Sequence, residues 1–272
     1  MKKIFSLSML AVCIVAFISC KKENNSTTPT TAKCKPLTES SYLVGNNVSY
    51  TYSYNTDGTL ANISYPPYNM AVGYNATSLT YPATYTPGLT DSSNTGYTGN
   101  IYTGSPTKAT VFLTINGVTI RNYMIYTFSY DSKGRLIKVI ETTPNIANDD
   151  EYQLTVTYND QDNVTQLKYE NYTGTAYVGN INATGYDDKP SPYSGIKNWP
   201  FLMHAGWNNY DPAPLFEALS KNNPLGYNGD VSVTRTMVYT YNDNGFPIKR
   251  VNTNKNSSGT YSFDETYTYQ CE

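Results

Sequence analysis

Carboxyl groups and a single histidine are the side chains in this sequence that could carry chemistry. His204 is the one side chain whose ordinary pKa lies near neutrality, and no Gly-x-Ser-x-Gly, His-Glu-x-x-His or phosphate-loop motif accompanies it. Nearby acids could form the acid–base pair of a glycoside hydrolase; they are Asp187, Asp188, Asp211 and Glu217. Nothing in their spacing selects two of the four, so the sequence predicts a protein that is not an enzyme.

Aromatic residues surround the same histidine and allow two interpretations. Exposed, they would form a platform that stacks on sugar rings, with Asp211 among the hydroxyl partners. Buried, they would plug an open end of a sheet, which is the commoner role of large aromatics beside a helix. The candidate ligand-binding residues are Tyr193, Trp199, His204, Trp207, Tyr210 and Asp211.

Neither a metal ion nor a cofactor is predicted. The aspartates of the polar turns lack the alternating oxygen ligands and distal glutamate of a calcium loop, and hairpin chemistry accounts for them. These aspartates are Asp57, Asp131, Asp160, Asp162 and Asp243. Zinc has no credible ligand set in one histidine and two cysteines that are expected to pair.

The N-terminal residues predict export and lipidation. Lys2 and Lys3 precede an uncharged apolar run over residues 4–18, which suits a signal peptide and is short for a membrane span. Phe17-Ile-Ser-Cys20 then resembles a lipobox, which implies cleavage before Cys20 and lipid on its thiol. An ordinary secretory signal with a chance cysteine is the alternative.

Composition favours a secreted β domain. The chain contains 28 tyrosines in 272 residues, and tyrosine favours pleated, half-buried surfaces. The net charge is −2 and no basic stripe exists, so nucleic acid is not an expected partner. Cys34 and Cys271 remain outside the signal and lipobox; in an oxidising compartment they would form a disulfide worth about 4–5 kcal/mol in the chain-entropy model. Two free, buried thiols are the alternative.

A sequence motif recurs along the domain, and we call it the phrase: an alternating strand that ends in Tyr, a polar turn, and a second strand. Its four copies start at Tyr50, Tyr126, Leu154 and Met237. Alternate apolar residues place one face on a core, while Asn, Asp and Gly supply the turn and its positive φ. Asp162 takes the glycine position in the third copy. Pro247 replaces a leucine in the fourth, which suggests an edge position or a bulge.

This phrase resembles the YD repeat of Rhs-type proteins. Together with the lipobox, it resembles lipoproteins of Bacteroidota that are grouped as families of unknown function. Cys20-Lys-Lys-Glu23 is similar to the start of many such lipoproteins. The resemblance implies a sheet of successive hairpins, an outer-membrane anchor and no activity; both the cell surface and the periplasmic face stay open.

The predicted fold is all-β: a single domain of antiparallel meander hairpins, with roughly 10 to 12 strands in a large curved or two-layered sheet. Its segments are a signal peptide (1–19), a lipidated, flexible tether (20–38) and the β domain (39–272). Residues 66–105 read as loop-rich. One insert, 186–228, contains a short helix that Asp211 caps and that ends before Pro224.

The predicted function is that of a non-catalytic, monomeric cell-envelope lipoprotein with a binding or structural role. Its partners would be a membrane, through the lipid, and a glycan or peptide at the insert. One alternative is a periplasm-facing carrier of an apolar ligand, in a cavity lined by Tyr, Leu and Val. The other is a glycan-active hydrolase, with two carboxylates roughly 5 to 10 Å apart in a groove.

Overall fold

The structure, a computed structural model, describes one of the chain's two units. These units are Met1–Thr31 and Ala32–Glu272, and every described residue belongs to the second. No helix in the described part is long and apolar enough to cross a membrane. The described residues are 33–43, 46–65, 68–71, 73–74, 79–84, 92–100, 105–115, 118–144, 152–171, 178–194, 196, 213–230 and 233–272.

Antiparallel strands make up most of this unit, with one short helix, α1, between β13 and β14. The strands are β1 (Cys34–Leu43), β2 (Asn46–Tyr54), β3 (Leu60–Tyr65), β4 (Tyr68–Ala71), β5 (Gly73–Tyr74), β6 (Leu79–Thr84), β7 (Ser92–Asn100), β8 (Ser105–Ile115), β9 (Val118–Tyr130), β10 (Leu136–Thr142), β11 (Tyr152–Tyr158), β12 (Val164–Asn171), β13 (Val178–Pro190), β14 (Asn222–Gly229), β15 (Thr234–Tyr241), β16 (Pro247–Asn256) and β17 (Gly259–Cys271). Helix α1 is Ala213–Leu219.

The strands form one sheet that closes on itself. Each pairs with its neighbour in the chain, except that β4 and β5 lie in line and both pair with β6. The last strand, β17, pairs with β1 from Cys34↔Cys271 to Ser40↔Thr266. The predicted all-β meander with a short helical insert is therefore confirmed. The curved sheet closes, because its last strand pairs with its first.

Three details of the sequence prediction were wrong. The described residues contain 17 strands rather than 10 to 12, and residues 66–105 contribute β4 to β7 to the sheet. Prolines and glycines in that segment shorten its strands without removing them, because a gap there would leave two open edges in the ring. The first strand also starts at Cys34, inside the segment predicted as tether, because its residues pair with β17.

Because successive strands alternate in direction, the four repeat turns and the insert lie at the same end of the closed sheet. We call this the terminal end, since β1 starts there at Cys34 and β17 finishes there at Cys271. The turns of all four repeat copies and the insert between β13 and β14 lie at this end. The opposite end, the far end, carries the other hairpin loops.

The four repeat turns have the predicted chemistry. Each has a positive φ at its fourth residue, which is Gly58 (79°), Gly134 (79°), Asp162 (64°) or Gly245 (82°). Asp131, the first residue of the turn in the second copy, accepts hydrogen bonds from the backbone N–H groups of residues 133 and 135, both at 2.9 Å. A bulge follows each turn, including the one at Pro247. Asp162 tolerates the glycine position while its carboxylate pairs with Arg135 at 2.8 Å and Lys133 at 3.2 Å.

The tyrosines near strand ends share a role that we call the tyrosine latch. Each latch hydroxyl donates a hydrogen bond to the backbone carbonyl of the strand that precedes its own strand in the chain. The six latches among the described residues are Tyr54 to Pro36 (2.7 Å), Tyr130 to Pro106 (2.6 Å), Tyr158 to Leu136 (2.9 Å), Tyr186 to Val164 (2.7 Å), Tyr239 to Pro224 (2.9 Å) and Tyr269 to Pro247 (2.8 Å). The tyrosines that end the first three copies of the phrase thus tie neighbouring strands together at the terminal end, whereas Tyr241, which ends the fourth, donates to Asp187 instead.

Candidate functional site

Most of the predicted site residues lie outside the described part of the chain. Trp199, His204, Trp207, Tyr210 and Asp211 fall there, and so does the predicted lipidation site, Cys20. Tyr193 is described, and its side chain is buried. An exposed platform is therefore wrong for Tyr193, because its hydroxyl donates a hydrogen bond of 2.8 Å to Glu39 inside the closed sheet.

The three described carboxylates of the predicted set have different partners, and the fourth, Asp211, lies outside the described residues. Asp188 is exposed and forms an ion pair with Lys189 at 3.4 Å. Asp187 accepts hydrogen bonds from the Asn223 side chain and the Tyr241 hydroxyl, which fixes the start of the insert against β14 and β15. Glu217, on α1, is buried in a different environment.

A charged layer lies buried beside the seam where β1 meets β17. It consists of Glu39 on β1, Glu217 on α1, Arg250 on β16 and Glu265 on β17. The guanidinium of Arg250 lies between Glu217 and Glu265 and forms an ion pair with each. Burial lowers the pKa of Arg250, but Glu265 and the surrounding groups reverse this effect, so its pKa is raised and it stays charged.

Glu39 completes the layer on the other side of the seam. One of its carboxylate oxygens accepts the hydroxyls of Tyr52 at 2.7 Å and Tyr193 at 2.8 Å. Burial raises the pKa of Glu39, the nearby Glu265 carboxylate adds to this, and the two tyrosine hydrogen bonds only partly offset it. Glu39 therefore holds a proton to higher pH than an ordinary glutamate.

The insert bridges the seam from inside. Glu217 connects it to β16 through Arg250, and Tyr193 connects it to β1 through Glu39. Ser191, which follows β13, joins the start of the insert to α1, because its hydroxyl donates a hydrogen bond to the backbone carbonyl of Glu217 at 2.7 Å. Two apolar residues of α1, Leu215 and Phe216, are fully buried. The charged layer therefore holds the insert across β17.

A disulfide closes the same seam at its terminal end. Cys34 and Cys271, the pair favoured from the sequence, are bonded, with their Cα atoms 4.0 Å apart. Together with the β1–β17 ladder and the charged layer, this bond joins the two ends of the domain.

The arrangement is suited to holding structure rather than to reacting with a substrate. Its carboxylates face a guanidinium and tyrosine hydroxyls, with no nucleophile beside them among the described residues. No group of three or more His, Cys, Asp or Glu in the described part could hold a metal ion. Two buried atoms, Asn252 Oδ1 and the Tyr267 hydroxyl, have no hydrogen-bond partner among the described residues.

The sequence interpretation missed Glu39, Arg250 and Glu265. A usable signal exists in β17, where Glu265 occupies the same alternating face as Phe263, Tyr267 and Tyr269. A charged residue on the apolar phase of a strand must find a buried partner. That signal marks the position but does not identify Glu217, which lies 48 residues earlier in the insert.

Comparisons with known proteins find the fold and no family. No family model and no curated protein matches the sequence. A solved structure of a porin-like protein from Bacteroides uniformis ATCC 8492 is similar, with a TM-score of 0.56 and 17% identity over 89% of this chain and 98% of that one. A porin-like protein from Bacteroides vulgatus ATCC 8482 has a TM-score of 0.53 and 11% identity, over 87% and 98%. The resemblance to YD-repeat lipoproteins stays a prediction.

Proposed function

We propose that this protein is a non-catalytic cell-envelope lipoprotein, anchored by lipid on Cys20, with a binding or structural role. The observation that carries the proposal is the charged layer. Its carboxylates are buried against Arg250 and tyrosine hydroxyls, whereas the acid–base pair of a hydrolase must reach its substrate. The layer also disfavours the carrier function, because buried charged groups beside the seam make that part of the interior unsuited to an apolar ligand.

The outward face of the sheet supports anchoring rather than insertion. A strand that crosses a bilayer turns apolar side chains towards the lipid. Here outward positions of the described residues carry polar pairs between strands: Thr38–Thr268, Ser40–Thr266, Thr253–Ser262, Lys249–Asp264 and Gln166–Asn182. Such pairs suit water, so the lipid on Cys20 would provide the membrane attachment.

Location at the outer membrane follows from two lines of support. The porin-like neighbours come from Bacteroides species, and the N-terminal sequence resembles Bacteroidota lipoproteins.

Lipidation and orientation can be tested together. Wild type should incorporate labelled palmitate and sediment with outer membranes, whereas Cys20→Ala should do neither; Cys13→Ala, in the signal peptide, serves as the matched control. Protease treatment of intact and lysed cells then separates the two faces. Loss from intact cells indicates the surface, and loss only after lysis indicates the periplasm. A Cys20→Ala protein that stayed lipidated would contradict the proposal.

A further inference from the structure

One carboxylate of the charged layer lacks a cation. Arg250 forms ion pairs with Glu217 and Glu265, whereas Glu39, which is 7% exposed, forms none with the described residues. The Glu39 carboxylate instead accepts two tyrosine hydroxyls, which carry no charge. With three carboxylates against one guanidinium, the layer keeps an excess of negative charge even when Glu39 holds a proton. Such an excess is costly in a buried position.

Two oxygen atoms without a partner lie beside these carboxylates. Asn252 is fully buried, and its amide nitrogen donates a hydrogen bond of 2.7 Å to Glu265, which places Oδ1 of the same amide next to that carboxylate. Tyr267 is 3% exposed and pairs in register with Glu39 across the seam. Neither Asn252 Oδ1 nor the Tyr267 hydroxyl has a hydrogen-bond partner in the described part of the chain. A buried polar atom left in this way costs free energy.

The hydroxyl of Tyr267 also responds to the charges of the layer. Burial raises its pKa; the guanidinium of Arg250 lowers it, and the carboxylates of Glu265 and Glu39 raise it further. The hydroxyl is therefore within electrostatic reach of all three groups. The oxygens without a partner and the excess negative charge thus occur in the same part of the interior.

We infer that the charged layer binds one alkali cation, Na⁺ or K⁺, on the inner side of the seam. Its oxygen ligands come from four side chains: Glu39, Asn252, Glu265 and Tyr267. Carboxylate, amide and hydroxyl oxygens are the ligands that hard cations prefer. These side chains belong to β1, β16 and β17, so the ion would hold three strands together where the sheet closes.

A water molecule and a divalent ion fit the layer less well. A water would give the two oxygens a hydrogen-bond partner, but it would leave the excess negative charge unbalanced. A divalent ion draws on several charged ligands at once, and no group of three or more His, Cys, Asp or Glu among the described residues could hold one. An alkali cation needs less charge around it, because neutral oxygens can replace its hydration shell.

Thermal unfolding of the full-length protein in detergent tests this site. The comparison is between NaCl, KCl and tetramethylammonium chloride at equal ionic strength and neutral pH. The organic cation reproduces the screening by salt but is too large for a buried site among four side chains. We expect the unfolding temperature to be about 3 to 5 °C higher in NaCl or KCl, at an ion concentration about ten-fold above the dissociation constant. The salt that gives the larger rise identifies the ion that fits.

Tyr267→Phe tests the ligands. The hydroxyl that it removes has no hydrogen-bond partner among the described residues, so in tetramethylammonium chloride the variant should be as stable as the wild type or more stable. In NaCl or KCl it should lose most of the wild-type rise. Tyr261→Phe is the matched control, because it removes a hydroxyl from an exposed ring of the same strand and should keep the whole rise.

Two results would overturn the assignment: equal unfolding temperatures of the wild type in the three salts, or an equal rise in the wild type and Tyr267→Phe. Circular dichroism before heating confirms that each variant is folded, and the wild-type comparison decides by itself if a variant is not. Neither result bears on lipidation at Cys20, so a failure of this site is separate from a failure of the proposed function.

Discussion

Two walls of the closed sheet are built from the same repeated phrase but differ in what they bury. The apolar wall, on β9 to β12, turns Phe128, Val139, Leu154, Val156 and Leu167 inward. The polar wall, on β15 to β17, turns Arg235, Arg250, Asn252, Asn254 and Glu265 inward, all less than 10% exposed. The hairpin phrase therefore specifies the backbone of both walls and leaves the chemistry of the interior free to vary.

The difference has a physical consequence for how each wall is stabilised. In the apolar wall, neighbours on adjacent strands satisfy one another, as in the pairing of Val156 with Leu167. In the polar wall, Arg250 needs Glu217 from the insert as well as Glu265 from β17. The polar wall therefore depends on contacts between distant parts of the chain, and it joins the seam to the insert.

Removing Arg250 should break the polar wall and have the largest effect. Arg250→Met leaves Glu217 and Glu265 buried without a cation, so we expect a loss of about 3–5 kcal/mol in the free energy of unfolding. Urea denaturation measures it. Lys249→Met is the matched control, because the adjacent Lys249–Asp264 pair faces outward and is half-exposed; its loss should stay below about 1 kcal/mol. Equal losses would mean that the charged layer is not a structural centre.

A cavity in the apolar wall should cost slightly less and respond differently to pH. Leu167→Ala removes a fully buried side chain, with an expected loss of about 3 kcal/mol. This loss should be the same at pH 5 and pH 8, since the two residues paired with Leu167, Val156 and Ile181, carry no ionisable group. The Arg250→Met loss should grow with pH as the carboxylates ionise. Gln166→Ala, on the outward face of β12, controls for strand propensity.

These two walls also separate what could be predicted from the sequence from what could not. Alternation and turn residues predicted the hairpins, the positive φ at Asp162 and the short helix, because these depend on residues close in the chain. The closed ring was harder to predict, since no local pattern encodes the ladder between β1 and β17; the predicted Cys34–Cys271 disulfide indicated only that the two ends of the domain meet. A helix–strand contact such as Glu217–Arg250 has the same limitation.

The candidate site was harder to predict than the fold. The aromatic residues near His204 drew attention to the insert, yet Tyr193 is buried there, and the unpartnered oxygens of Asn252 and Tyr267 lie in strands that resemble every other strand. Whether an inward oxygen finds a partner depends on which residues the neighbouring strands place opposite it. That is a property of register, which alternation alone does not reveal.

Replacing Glu39 by a neutral residue should change how the stability of the folded protein depends on pH. Its raised pKa means that the folded state binds a proton that the unfolded state releases, so wild-type stability falls as pH rises from the ordinary glutamate range to the folded-state pKa. The slope is at most one proton, about 1.4 kcal/mol per pH unit. Glu39→Gln keeps an acceptor for Tyr52 and Tyr193 and should remove this slope, leaving the variant at least as stable at pH 8. Thermal unfolding from pH 4 to 9 measures it, and an unchanged slope would show that Glu39 is not the titrating group.

The tyrosine latches should give the smallest effect, and the same one in both walls. Tyr158→Phe removes the hydrogen bond to Leu136 in the apolar wall, and Tyr269→Phe removes the one to Pro247 in the polar wall. Each ring stays in place, so we expect about 1 kcal/mol per latch. Tyr261→Phe, on an exposed ring, should cost less than about 0.5 kcal/mol. A much larger loss at Tyr269 than at Tyr158 would mean that the latch of the polar wall is coupled to the charged layer, because Glu39 also acts on the pKa of Tyr269. Equal losses would mean that the strength of a latch is independent of what each wall buries.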